Sequence, residues 1–240
     1  SKANRSVDYA MLEYCIREDL KMKAPRMMAV LDPVKLVIDN YPEKEIEYLE
    51  VPNNMENPEL GVRQVPFGRE LYIEREDFME VPVKKYRRLY PGNEVRLMNA
   101  YFVTCTDCEK DENGNVTVIH CTYDPASKGG NSPDGRKVKG TIHWVCAETA
   151  VKAQCRLYEN IVDEEKGVYN KEDGSLNVNP NSLTVVEAYV EPELGKAGAY
   201  DRYQFVRNGF FCGDCHDTKP GAPVFNRIVS LKSSFKLPEK

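Results

Sequence analysis

The chain has 240 residues, 41% of them hydrophobic and 30% charged, so it can bury a real core as one large or two small domains and is neither a disordered tail nor a membrane bundle. No apolar run approaches the ~20 residues a membrane-spanning helix needs, and residues 1–20 lack a signal peptide's apolar stretch. A net charge of −5 argues against a generally basic nucleic-acid binder, but Lys84, Lys85, Arg87, Arg88 and Arg96 are concentrated in 84–96 against one acid, Glu94.

The chain opens on Ser1 and runs at once into a helical pattern, as a piece of a longer protein would. Val7, Ala10, Met11, Tyr14 and Cys15 recur at helical spacing and predict a helix over 7–23, which Pro25 ends by pushing the residue before it out of the α region. From there the pattern is β. Runs rich in Val, Ile, Tyr, Phe and Thr occupy 27–31, 34–39, 45–51, 70–75, 94–105, 116–122, 136–145, 183–190, 203–211 and 223–231, separated by Pro, Gly and Asn turns. Asn113-Gly114 is the strongest hairpin signal. Ser127–Gly135 reads as a loop, and 163–182 as a long acidic excursion. Many short strands after a single helix point to β-barrels rather than to a βαβ fold.

Several catalytic classes are excluded by motif. There is no G-x-x-x-x-G-K-[ST], no G-x-G-x-x-G and no G-x-S-x-G, and His120, His143 and His216 include no pair at metalloprotease spacing on a helix. The eight cysteines include two C-x-x-C pairs, Cys105/Cys108 and Cys212/Cys215, which would make a four-thiolate zinc site only if the fold joined them across the intervening chain. Cys212-Gly-Asp-Cys215-His216 also fits the haem-attachment pattern, but haem attachment needs an exported chain. The thiols read instead as those of a protein in a reducing cytoplasm, and no metal is assigned.

Lys84-Lys85-Tyr86-Arg87-Arg88-Leu89-Tyr90 interleaves cations with aromatic rings, as surfaces that bind single-stranded nucleic acid do. The plainer reading is a solvated strand face with Tyr86 and Tyr90 turned inward.

Longer segments add to that clue. They are Ile16-Arg17-Glu18-Asp19-Leu20, Ala24-Pro25-Arg26-Met27-Met28-Ala29-Val30-Leu31-Asp32-Pro33-Val34-Lys35, Arg63-Gln64-Val65-Pro66-Phe67, Glu94-Val95-Arg96-Leu97 with Asn99-Ala100-Tyr101, and Cys121-Thr122-Tyr123-Asp124. Gly135-Arg136-Lys137-Val138-Lys139-Gly140-Thr141-Ile142-His143-Trp144-Val145 and Pro223-Val224-Phe225-Asn226-Arg227 complete the set. In this order they resemble the C-terminal anticodon-binding region of the glutaminyl-tRNA synthetases, over about residues 9–231. The resemblance implies an all-β fold of two packed β-barrels behind a short helical connector: 1–24 the connector to a catalytic domain absent here, 25–78 with 144–240 the proximal barrel, and 79–143 the distal one. It also implies a tRNA(Gln) partner, a cytoplasmic monomer without membrane contact, and an enzyme whose ATP and Mg are used outside this segment, which has no cofactor of its own and is inactive alone. The related barrels of archaeal and eukaryotic glutamyl-tRNA synthetases, and a cysteine-based zinc protein that binds RNA, are the alternatives.

Matched motif by motif, the resemblance assigns the anticodon to six residues. Arg26 and Gln204 would meet the central U, Arg88 (preceded by Arg87) and Arg207 the third base G, and Arg96 the first base. Lys84 and Lys85 are candidates for the RNA backbone, and Asn57 is a further candidate in a loop where Glu56 stands near a usual Asn. Met98 replaces a second arginine after Glu-Val-Arg-Leu, leaving more of the first base to Arg96. The chemistry agrees: uracil presents two carbonyl acceptors and one N3–H donor, and a Gln amide supplies the acceptor that Arg lacks. Guanine takes an arginine fork on O6 and N7.

Overall fold

The computed structural model describes residues 9–130, 132, 134–163 and 166–232. Helix α1 (Tyr9–Lys23) precedes strands β1 (Arg26–Met27), β2 (Ala29–Val30), β3 (Pro33–Ile38), β4 (Glu47–Pro52), β5 (Val62–Phe67) and β6 (Glu70–Glu74). Then come β7 (Glu94–Leu97), β8 (Phe102–Lys110), β9 (Val116–Asp124), β10 (Thr141–Ile142) and β11 (Val145–Cys146). The chain continues through β12 (Val151–Tyr158), β13 (Leu183–Val190), β14 (Arg202–Phe205), β15 (Gly209–Gly213) and β16 (Val224–Ser230).

These strands form two seven-stranded sheets and a β4–β5 ribbon, so the expected all-β, two-barrel architecture stands. The first sheet runs β1-β14-β15-β16-β12-β13-β2, and the second β10-β7-β8-β9-β3-β6-β11. The end strands of each sheet are nearly consecutive in sequence. Only Met28 separates β1 from β2, and only His143-Trp144 separates β10 from β11. Since neighbouring Cα atoms are about 3.8 Å apart, so short a link draws the two ends of each sheet together and bends it round.

The strand pairing divides the chain differently from the sequence expectation. Residues 33–78, expected beside 144–240, instead supply β3 and β6 to the sheet of β7–β9: β3 pairs in parallel with β9 and antiparallel with β6. The reason is the strict alternation of β3, whose Val34, Leu36 and Ile38 are buried. Those side chains need a sheet face that covers them, and 94–124 provides it. Strands β5 and β12 were absent from the predicted set, whereas the run 136–145 shortens to β10 and β11 with irregular backbone at 136–140.

Two cores result. The larger gathers Leu36, Ile73, Val95, Val103 and Ile119 around Phe67 and Trp144, whose rings meet edge to face at 5.1 Å. The smaller holds Phe205, Phe211 and Phe225 with Val190 and Leu194. The predicted helix is present, but Met11 and Cys15 of its expected apolar face are exposed, and Val7 lies outside the described residues. The helix packs instead through Leu20, Ile16 and Ala24 against Phe210 and Val229. Asn54 Nδ2 donates to the Lys21 and Ala24 carbonyls at 2.9 and 3.1 Å, satisfying acceptors that a helix end leaves open. The Asn113-Gly114 hairpin joins β8 to β9 as expected. Gly114 takes a positive φ of 81°, and the Asp111 carboxylate accepts from the Asn113 and Asn115 amides.

The two barrels meet along their closing links. His143 Nε2 lies 3.0 Å from the Ala29 carbonyl, and Glu74 accepts from the Leu31 and Asp32 amides. Burial alone would raise the Glu74 carboxyl, but the bonds from His143 and those two amides outweigh it and hold it at about 2. Arg63 forks onto the buried Glu191 with two contacts of 2.6 Å, while Glu191 also accepts from the Met28 amide.

Candidate nucleic-acid interface

The candidate residues fall into three places. In the first, Arg26 and Gln204 are direct register partners in the parallel pair β1–β14, with the Gln204 amide donating to the Pro25 carbonyl at 2.8 Å. Period-two alternation turns Met27 and Phe205 into the barrel and leaves Arg26 and Gln204 on the outer face, beneath α1. There they line a cleft of about 360 Å³ whose helical wall carries Tyr14, Arg17 and Lys21. Three buried polar atoms among its lining residues lack a hydrogen-bond partner in the protein: Gln204 Oε1, Arg26 Nε and Arg17 Nη1. An unmet buried polar atom costs about 1–3 kcal/mol, so these three atoms favour a polar partner in the cleft, whether water or ligand.

Glu56, noted in the sequence only as a departure from a usual Asn, closes one side of this cleft. It accepts from Arg26 Nη2 at 2.6 Å and pairs with Lys21 at 3.1 Å, and those two bonds lower its carboxyl pKa. Asn57, by contrast, is occupied: its Nδ2 donates to the Met22 carbonyl and its Oδ1 caps the turn at Pro58–Leu60.

The second place is the barrel junction. Arg207, in the β14–β15 turn at φ 66°, forks onto Asp77 at 2.6 and 2.8 Å. Arg88 reaches the same carboxylate at 3.1 Å and Glu76 at 2.8 Å. Asp77 is fully buried, so one acid organises both guanidiniums proposed for the third base.

The third place holds Arg96 on β7. Its Nε donates to the Gly130 carbonyl at 2.6 Å, and its guanidinium lies 5.2 Å from the Phe102 ring centre. Gly130 is needed here, because a Cβ would come within 2.9 Å of Arg96 Cδ. Met98 packs on the larger core, away from any such role. The basic segment is irregular backbone rather than the strand face of the plainer sequence reading. Lys84, Lys85 and Arg87 are exposed, and Tyr86 hangs the loop on the Glu76 carbonyl by a 3.0 Å bond from its hydroxyl.

The C-x-x-C pairs lie in different sheets, Cys105 and Cys108 on β8 and Cys212 on β15 with Cys215 just beyond it. Cys105 is buried as the cross-strand partner of Cys121, and burial is the main cause raising the Cys108 and Cys212 thiols. Among the described residues no three His, Cys, Asp or Glu side chains converge as metal ligands. No described helix is long and apolar enough to cross a membrane.

Two packed barrels with arginines grouped at a cleft and at their junction are the features to set beside known proteins. Residues 24–124 and 141–214 each match the family described as tRNA synthetases class I (E and Q), anti-codon binding domain, and the chain belongs to that family. Its relatives include the glutamine–tRNA ligase of Clostridium kluyveri, 56% identical over all of this chain and 43% of that protein. Those of Clostridium perfringens (55%, over 99% of this chain and 43% of the relative) and Vibrio cholerae (51%, over 98% and 42%) are similar. The chain thus spans well under half the length of these ligases.

Proposed function

We propose that this chain is the part of a glutamine–tRNA ligase that reads the anticodon loop of tRNA(Gln), and that the whole protein, a cytoplasmic monomer, joins glutamine to that tRNA with ATP and Mg. The ATP chemistry falls to the part of the relatives that this chain does not span, since no phosphate-cradling glycine loop occurs here. The observation that carries the reading is the unpartnered Gln204 Oε1 beside Arg26. Uracil N3–H would donate to that oxygen while the guanidinium donates to a uracil carbonyl; cytosine has no N3–H to offer. Arg88 and Arg207 present the forks that suit guanine.

The test is affinity of this chain for a glutamine tRNA anticodon stem-loop with U or C at the central position. Gln204→Ala is expected to shrink the preference for U by ~1–3 kcal/mol, the range of one specific base contact. Arg26→Ala should lower affinity for both bases and narrow the preference as well. A folded Gln204→Ala variant that keeps the full preference overturns the reading. A glutamate tRNA stem-loop in the same series separates this reading from the glutamyl alternative within the family.

A further inference from the structure

A second cavity, of about 460 Å³, opens between the loop 85–90 and the segment 137–140. None of the residues assigned above to bases other than Arg87 lines it. We infer that it is a phosphodiester site for a nucleotide outside the anticodon triplet, held by Lys85 and Arg87 from one side and by Lys137 and Lys139 from the other. The inference rests on the anticodon reading and extends it to the RNA backbone.

Charge is the first argument. The described residues form many ion pairs, and Arg26, Arg63, Arg88, Arg136, Arg156, Arg207 and Arg227 each face an acid. Lys85, Arg87, Lys137 and Lys139 have no salt bridge among the described residues, although the chain is acidic overall. The one acid lining the cavity, Glu94, is taken up by the Arg136 fork at 2.9 Å on both oxygens. Four exposed cations therefore face one space with no compensating acid, which raises the local concentration of a polyanion.

Shape is the second. Lys137 and Lys139 are exposed and both line the cavity, while Val138 between them is half-buried. The Gly140 carbonyl accepts from the Arg96 amide at 2.8 Å, which ties this segment to β7. A Cβ at Gly140 would lie 2.2 Å from the Arg87 carbonyl oxygen, so the close seating of the two walls requires glycine. The cavity is thus built by packing and not by chance proximity of lysines. Tyr86 and Tyr90 lie in the same wall, half-buried, with ring centres 6.5 Å apart, and offer an aromatic surface to the base attached to the bound phosphate.

The test is salt-dependent binding of the glutamine stem-loop to this chain. Each single-stranded phosphate contact contributes roughly 0.7 to the log–log slope, so a fourfold rise in salt weakens each by about 2.6-fold. Lys137→Ala/Lys139→Ala is expected to bind U- and C-centred loops more weakly by the same factor. Its deficit against wild type should shrink about 2.6-fold per lost contact as salt rises fourfold. Lys171→Ala/Lys219→Ala removes the same charge from exposed positions outside the cavity and should leave the slope unchanged. Equal effects of the two double variants, or an unchanged slope for Lys137→Ala/Lys139→Ala, overturn the site. If Gln204→Ala still narrows the U preference in that series, only the cavity site has failed. If neither variant has any effect, the anticodon reading has failed with it.

Discussion

The cleft under α1 and the barrel junction both present arginines, but in opposite states. At the junction, Arg88 and Arg207 are already engaged by acids, with Asp77 buried between them. In the cleft, Gln204 Oε1, Arg26 Nε and Arg17 Nη1 have no partner, and Glu56, the acid that pairs with Arg26, sits at the exposed rim. The junction acids hold the forks in a fixed direction at the cost of engaging some of their donors, which suits a base met by preset geometry. The cleft keeps its polar atoms unmet, so a ligand that supplies the missing donor and acceptors gains most there. Rigidity is concentrated in one place and unmet bonding capacity in the other.

The largest expected effect strikes the junction. Asp77→Ala strands two guanidiniums beside a buried site, and breaking such a pair costs about 3–5 kcal/mol, read as a lower urea midpoint. A loss below about 1 kcal/mol would show that the junction is not what holds the barrels in register. Glu74 tests the same region by pH. Its folded pKa is depressed to about 2, so its contribution is present above its ordinary value near 4.5 and is lost as pH falls toward 2. The shift corresponds to roughly 3 kcal/mol of acid-dependent stability, and Glu74→Gln should flatten that limb of the stability profile while lowering stability at neutral pH.

The cleft should respond in the opposite sense. Glu56→Gln releases Arg26 and Lys21 from a competing carboxylate, so stem-loop affinity should rise, most at low salt, with little change in folding stability. Affinity that falls would make Glu56 a support for Arg26 rather than a competitor. The smallest effect lies outside both regions. His120 on β9 stands between Asp39 at 3.0 Å and Glu109 at 2.9 Å, and bonds to both raise its pKa. Its contribution is present below the ordinary histidine range and is lost as pH rises through the elevated value. A shallow decline in stability on the alkaline side that His120→Gln removes is expected, opposite in sign to the Glu74 limb.

Local patterns carried much of this protein. The 7–23 periodicity and Pro25 marked the helix and its end, Asn113-Gly114 placed the β8–β9 hairpin, and the β-rich runs 34–39 and 183–190 placed β3 and β13, because each depends on residues a few positions apart. The alternation of 151–158 was equally visible and was overlooked. The need for Arg26 and Gln204 to meet came from the family resemblance, and the chemistry of uracil agreed with it. Which strands pair could not: β3 joins β9 and β6 because that sheet covers its apolar face, a match between distant segments that leaves no local trace. The same holds for Asp77 between Arg88 and Arg207, Glu56 on Arg26, and Gly140 against the Arg87 carbonyl. Composition counts charges, but only the folded register decides which of them are neutralised by a neighbour and which are left facing solvent.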